Sequence, residues 1–266
     1  MRFDPRTLAD VAVGIAREAA ELVQTTRHTA VGQVETKSTK TDVVTAADRA
    51  AERLVRSRLA QMRPGESVLG EEEGGSAPAE GLCWVVDPID GTVNYLYGFP
   101  WYSVSIAAQL DGVSVAGAVV EPVSGRLWTA ARGFGAQLDG VPLRASSATR
   151  LDLSLVATGF AYGAERRQRQ ANAVARFVTK VRDLRRAGAA SLDLCAVAAG
   201  WLDGYVEHGL GRWDWAAGAL VAQEAGAVVR VPGQAPQLGA EATFAAAPGI
   251  AEQLHGELVE AGFGEV

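Results

Sequence analysis

Between residues 67 and 143 the apolar residues fall into short runs, SVLGEE, LCWVVDP, SVSIAAQL, GVSVAGAVVEP, RLWTAARG and GAQLDGVPL, divided by glycine, proline and Asp-Gly pairs. Runs of this length with turn chemistry between them describe strands, and Asp111-Gly112 and Asp139-Gly140 read as hairpin turns. That stretch is therefore expected to build an antiparallel sheet. After residue 150 the rhythm alternates: strand SLVATGF, helix over 164–181, strand DLRRAG, helix ASLDLCAVAAGWL, strand GYVEH, helix WAAGALVAQEAG, strands AVVRV and TFAAAP, and a last helix. Ahead of both, apolar residues recur at helical spacing over 7–24 and 46–62. The polar segment VETKSTKTDVVT between those helices reads as an exposed hairpin or loop that brings Lys37 and Asp42 near the second helix start. The first half reads α+β and the second α/β. With no repeat or low-complexity linker, residues 1–148 and 149–266 are expected to form two subdomains of one compact unit, with the site at their interface.

A chain of 266 residues with 48% hydrophobic residues is long enough to bury a substantial core. Its 25 Lys and Arg against 31 Asp and Glu give a net charge of −6, and no block of like charge suggests a nucleic-acid arm. No run approaches the ~18 apolar residues of a membrane span, and Asp4 and Pro5 fall where a secretory signal needs an apolar stretch. A soluble cytoplasmic protein is expected, without nucleic acid or membrane as a partner. Only Cys83 and Cys195 are present, and His28, His208 and His255 are scattered, so neither a disulfide framework nor a zinc site is available. No arginine stands six positions after Cys195, which excludes a cysteine phosphatase loop.

The chemistry concentrates where the strand Trp84-Val85-Val86 runs into Asp87-Pro88-Ile89-Asp90-Gly91-Thr92. Pro88 has no amide to give a ladder, so the chain is expected to leave the sheet there and present two carboxylates and the Ile89 carbonyl on a turn. Such oxygens suit a hard cation, and Gly91-Thr92 can open a helix whose free amides face a phosphate. The same residues are equally ordinary turn signals. Other segments carry bland readings of their own. Glu71, Glu72 and Glu73 are a solvated face unless two strand ends converge, in which case Glu71 is the best candidate. Asp214 stands directly before a helix, as an N-cap would, and Asp48 is at capping-box spacing from Thr45. Lys37 is a plain loop lysine.

Taken together, these segments resemble the inositol monophosphatase family of magnesium-dependent, lithium-sensitive phosphatases. The resemblance is carried by GEE at 70–72, WVVDPIDGTVNY at 84–95 and WDWAAGALVAQEAGA at 213–227. The spacing of 37–48 and of GlyAlaAlaSerLeuAsp at 188–193 also fits, so it covers almost the whole chain. It implies a layered αβαβα sandwich, a homodimer, and two or three Mg²⁺ ions per site. Glu71, Asp87 and the Ile89 carbonyl match the ligands of one ion; Asp87, Asp90 and Asp214 surround a second. Thr92 and Asp48, with Glu71, match the residues that activate the attacking water, and Glu72 and Lys37 are supporting. Gly91 and Thr92 match the phosphate cradle, while Glu207, Gly188, Ala189 and Ala190, with Asp214, fall where the family meets its substrate.

The resemblance further implies hydrolysis of a phosphate monoester, with inositol 1-phosphate as the expected substrate because the Glu207 carboxylate can accept hydrogen bonds from vicinal hydroxyls. Relatives of the fold that act on histidinol phosphate, other sugar phosphates or nucleotides are the alternative, as is a non-catalytic regulator that binds transcription machinery. Ala189 stands where the family often has a threonine or serine, so one hydroxyl contact is expected to be lost. The aromatic stretch from Tyr95 to Trp101 is assigned to packing rather than to ligand stacking.

Overall fold

The computed structural model describes residues 3–30, 34–36 and 43–266. Helix α1 (Pro5–Ala30) buries Leu8, Ala12, Ile15, Ala19 and Val23, and helix α2 (Ala46–Met62) buries Ala47, Ala51, Val55 and Leu59, each set at the three-and-four spacing of one helix face. Between them β1 (Val34–Thr36) pairs antiparallel with β2 (Val43–Thr45), which is the expected hairpin. Its tip, with Lys37 and Asp42, lies outside the described residues.

The first sheet runs through β3 (Ser67–Gly70), β4 (Leu82–Asp90), β5 (Ser103–Leu110), β6 (Val113–Val120), β7 (Leu127–Ala131), β8 (Ala136–Leu138) and β9 (Val141–Pro142), in that spatial order, with the short helix α3 (Thr92–Tyr97) after β4. All of its pairings are antiparallel except one: β3 lies parallel to β4. The segment 71–81 is long enough to cross back along the sheet, so both strands finish at the same edge. Gly70 is paired with Val86, and the Glu71 amide donates to the Val86 carbonyl at 3.2 Å.

The second half supplies β10 (Leu155–Thr158), α4 (Ala164–Phe177), β11 (Asp183–Arg185), α5 (Ala190–Ala198), β12 (Gly204–His208), α6 (Arg212–Glu224), β13 (Val228–Arg230), β14 (Ala242–Ala246) and α7 (Ala251–Glu260). Its sheet has the order β11-β10-β12-β14-β13, parallel through β11, β10 and β12 and antiparallel beyond.

Alternation along the strands sets the layers. On β4, Trp84 and Val86 join α1 and α2 in one core, whereas Cys83 and Val85 join α5 and α6 in another. On the second sheet, Ala157, Tyr205 and Ala245 face that same α5/α6 core, and Val156, Val206 and Phe244 face α7 and Phe177 of α4. Both sheets thus bury two faces, and α5 and α6 form the central layer of an αβαβα stack, as the resemblance implies. Among the described residues no helix is long and apolar enough to cross a membrane.

The central layer sits close to the first sheet because β6 offers a glycine. A Cβ on Gly117 would lie 3.1 Å from Ala217 Cα and 3.2 Å from its Cβ. Gly117→Val should therefore push α6 outward and cost about 2 kcal/mol or more, as overpacking does. Chemical denaturation measures the loss.

Candidate active site

Strand β4 does not leave the sheet at its proline. The ladder pairs Asp87 with Ser105 and then Asp90 with Ser103, so Pro88 and Ile89 bulge opposite the single residue Val104. The bulge takes Pro88, which has no amide to donate, out of the ladder and keeps both aspartates at the strand end, buried rather than on an exposed turn. Asp87 Oδ1 accepts the Ile89 amide at 3.0 Å, while Asp87 Oδ2 is buried with no hydrogen-bond partner among the described residues. Asp90 faces the start of α5: its Oδ1 accepts the Ala190 amide at 3.2 Å, and its Oδ2 accepts the Ser191 amide at 2.7 Å and the Ser191 hydroxyl at 2.6 Å. The amides of that first turn, together with the helix dipole, favour a carboxylate there.

Asp214 arrives from α6, inside the helix rather than directly ahead of it. The helix begins at Arg212 with Gly211 as its N-cap. Glycine has no side chain to cap with, so Asp214, in the first turn, reaches back to accept the Gly211 amide at 2.6 Å. A carboxylate oxygen from each of Asp87, Asp90 and Asp214 can be chosen so that all three lie within 4.8 Å of one another. Burial, and then the neighbouring carboxylates, push Asp87 and Asp214 well above the usual range. Asp90 is pushed up to about 6, by burial foremost and against the pull of the Ser191 bonds. Oxygen-only donors, crowded negative charge and the orphaned Asp87 Oδ2 together fit a hard divalent cation.

Asp48 serves two ends at once. Its Oδ2 accepts the Thr45 amide at 2.8 Å and the Thr45 hydroxyl at 2.6 Å, which closes the capping box. Its Oδ1 faces the Thr92 hydroxyl at 3.2 Å, and that hydroxyl also lies 3.0 Å from the Ile89 carbonyl. The helix cap thus occupies one oxygen, and the other faces Thr92. Gly91, at φ +89°, is the N-cap of α3, and a Cβ there would stand 3.2 Å from Ala189 Cβ, the Gly188 carbonyl and the Trp101 carbonyl. Only glycine fits both the space and the left-handed backbone. Asn94 Nδ2 bonds the Trp101 carbonyl at 2.7 Å and the Ala187 carbonyl at 2.8 Å, fastening α3 to the turn before α5.

These groups open on a cavity of about 610 Å³. Its floor includes Glu71, Asp87, Ile89, Asp90 and Asp214, with Gly91 and Thr92 beside them. Gly188, Ala190 and Glu207 line the side wall, where Tyr205 donates to Glu207 Oε2 at 2.7 Å. Of the residues singled out in the sequence, Asp48, Glu72 and Ala189 do not line it. Asp48 lies behind Thr92; Ala189 is buried against Gly91; the Glu72 amide is turned to Glu52 Oε2 at 2.7 Å. Lys37 falls outside the described residues. None of the stretch from Tyr95 to Trp101 lines the cavity; Tyr95 is buried in the core as the packing expectation has it, whereas Tyr97 and Phe99 are exposed.

Sequence reading passed over Ser191, Glu52 and the wall arginines Arg166 and Arg186. A signal existed for Glu52, a charged residue on the apolar face that also carries Ala51 and Val55. Arg186 gave none, because an exposed arginine at the end of a short strand looks like any other.

The sequence model described as the inositol monophosphatase family matches residues 4–262. A protein of Mycobacterium leprae named inositol-1-monophosphatase is 52% identical, the match covering 94% of this chain and 93% of that protein. The Escherichia coli (strain K12) protein named Nus factor SuhB is 38% identical over 84% of each chain. Among solved structures, Mycobacterium tuberculosis SuhB superimposes with a TM-score of 0.85 at 43% identity, covering 98% of this chain and 99% of that one. The inositol monophosphatase of Anabaena does so with a TM-score of 0.82 at 31% identity and 96% coverage of both.

The raised carboxylates tie metal-free stability to pH. Folded Asp90 keeps its proton to about pH 6, whereas an unfolded aspartate loses it near 3.9, so the folded state binds the extra proton between those values. Stability of chelator-treated protein should therefore fall as pH rises from about 4 through 6. Asp87→Asn removes one charge from the cluster and should raise the metal-free melting temperature by about 3 °C or more at pH 7.5 and leave it unchanged at pH 4, read by calorimetry.

Proposed function

The chain belongs to the inositol monophosphatase family, and from that premise we propose that this phosphate monoester hydrolase acts on inositol 1-phosphate, with Mg²⁺ as its metal. The observation that carries the reading is the convergence of Asp87, Asp90 and Asp214, with the unpartnered Asp87 Oδ2, on the Thr92–Asp48 pair. The name of the mycobacterial relatives supports the choice of alcohol.

In this reading Glu71, Asp87 and the Ile89 carbonyl hold one Mg²⁺, and Asp87, Asp90 and Asp214 a second. Ions held there would supply the positive charge that phosphate oxygens, an attacking water and a departing alkoxide each call for. The residues do the rest. The Asp48 Oδ2 atom is taken up by the helix cap, which leaves Oδ1 as the basic atom facing Thr92. The Thr92 hydroxyl can pass its proton to Asp48 Oδ1 while taking one from the attacking water, so the nucleophile is oriented and deprotonated through one hydroxyl. Gly91 and Thr92 present amides to the phosphate at the start of α3. Glu207 accepts hydroxyls of the alcohol from the side wall, and Gly188 and Ala190 leave it room; the lost hydroxyl at Ala189 matters little, because that side chain is turned away from the cavity.

A second reading, a regulator of transcription, is supported by the name of the E. coli relative. The intact carboxylate group and the Thr92–Asp48 bond favour catalysis, since a binding module has no use for a buried base behind a hydroxyl.

Phosphate release from inositol 1-phosphate, histidinol phosphate, fructose 1,6-bisphosphate and NADP, with Mg²⁺ and with added Li⁺, decides between them. Inositol 1-phosphate should give the highest kcat/KM and Li⁺ should inhibit. Thr92→Val and Asp214→Asn should each lower kcat by about 100-fold or more in protein that still folds. Absence of turnover on every ester would favour the regulator, and preference for histidinol phosphate would overturn the choice of alcohol. The homodimer belongs to the same reading and is checked by sedimentation.

A further inference from the structure

Glu52 stands one turn beyond Asp48 on α2, fully buried and outside the cavity. Its carboxylate grips the turn that follows β3: Oε2 accepts the Glu72 amide at 2.7 Å and Oε1 the Glu73 amide at 3.1 Å. Arg56, a further turn along, donates from Nε to Glu52 Oε1 at 2.8 Å and from Nη2 to the Gly74 carbonyl at 2.5 Å. The Gly70 amide closes the turn on the Gly74 carbonyl at 2.9 Å. Gly70 makes the approach possible, because a Cβ there would fall 2.1 Å from Glu52 Oε1.

A buried carboxylate is costly unless its lone pairs are used, and here two amides and a guanidinium use them. What they hold is a turn of three consecutive glutamates beside Gly74 and Gly75, which at φ +66° and +119° are permissive hinges. Arg56 and Arg53 of the same helix also stand 3.5 Å and 3.9 Å from the Glu73 carboxylate. Of the three glutamates only Glu71 reaches the cavity.

We propose that the Glu52–Arg56 pair is the positioning element for Glu71 and sets the affinity of the cation site through it. The inference rests on Glu71 being a ligand of that site. A ligand on an unfastened turn must be ordered when the ion binds, and fastening it beforehand removes that cost. Because the same helix carries Asp48, α2 places the base and the ligand turn as one rigid piece.

Mg²⁺ titrated into chelator-treated full-length protein, read by calorimetry and by the shift in melting temperature, tests this apart from activity. Glu52→Gln puts an amide donor against a backbone amide and should weaken Mg²⁺ binding by about tenfold or more, as loss of a ligand's hydrogen-bonded support does. Arg56→Met, whose side chain is a quarter exposed, should weaken it by a smaller factor and carries the test if Glu52→Gln does not fold. Glu71→Gln should weaken binding outright, and adding Glu52→Gln to it should then change affinity by less than about twofold, because the two act through one contact. A purely structural role would lower the metal-free melting temperature of Glu52→Gln and Arg56→Met while leaving Mg²⁺ affinity within about twofold of wild type. That result overturns the proposal. Wild-type affinity in Glu71→Gln would instead remove the ligand reading, and the proposal with it.

Discussion

Three carboxylates crowded within reach of one another, Asp87 and Asp90 buried and Asp214 partly so, are the constraint around which this molecule is built. Like charges in a medium that screens them poorly repel strongly, and each has also lost much of its water. The fold answers group by group. Asp90 is held by the first turn of α5, through two amides and the Ser191 hydroxyl. Since that hydroxyl spends its one proton on Asp90, the Ser103 hydroxyl, 2.7 Å away, must donate to it, so a strand residue of the first half orients the anchor from the second. Asp214 is held by the amide ahead of its own helix. Asp87 keeps one oxygen free, and that oxygen is where a cation is needed.

Bringing these groups together requires close approach, and the chain uses small residues to obtain it. Gly117 lets α6 lie against the sheet, so Asp214 comes within range of β4. Gly91 lets α3 meet the turn at Gly188 and Ala189, which sets the start of α5 under Asp90. Gly70 lets Glu52 reach the glutamate turn. In each case a methyl group would crowd its neighbour, most severely at Gly70, where it would fall 2.1 Å from Glu52 Oε1. Small size at these positions is therefore as much a part of the site as the carboxylates are.

Much of this was legible. The strands SVSIAAQL and GYVEH and the helix over 46–62 are found at the expected residues, because their periodicity and turn signals agree with the packing that buries them. The αβαβα order came with the family resemblance. Two local details were misread for physical reasons. Asp-Pro reads as the end of a sheet, but a bulge accommodates a missing amide at less cost than unpairing a buried strand. Asp214 was placed ahead of its helix because aspartate caps well, yet glycine at 211 leaves the capping to a residue already inside the first turn. Glu52 stands out as a charge on an apolar face, but what it and Ser191 support is not legible, since partners 20 and 101 residues away are chosen by the tertiary fold.

The division of labour within Asp48 shows why such a site is stable enough to exist. A general base must turn an oxygen toward the proton it takes, whereas a buried carboxylate is tolerated only when bonded. In the role proposed for it, Asp48 reconciles the two by giving Oδ2 to the helix start and Oδ1 to Thr92. Had the cap taken both oxygens, the group would be structural only; had it taken neither, the charge would be buried without compensation. The same economy recurs at Asp87, where Oδ1 is bonded within its own bulge and Oδ2 is left for a ligand. Splitting a carboxylate between fold and chemistry makes each reactive oxygen a by-product of a bond that secondary structure already needs, so the geometry of the site is set by the ends of helices and strands rather than by flexible side chains.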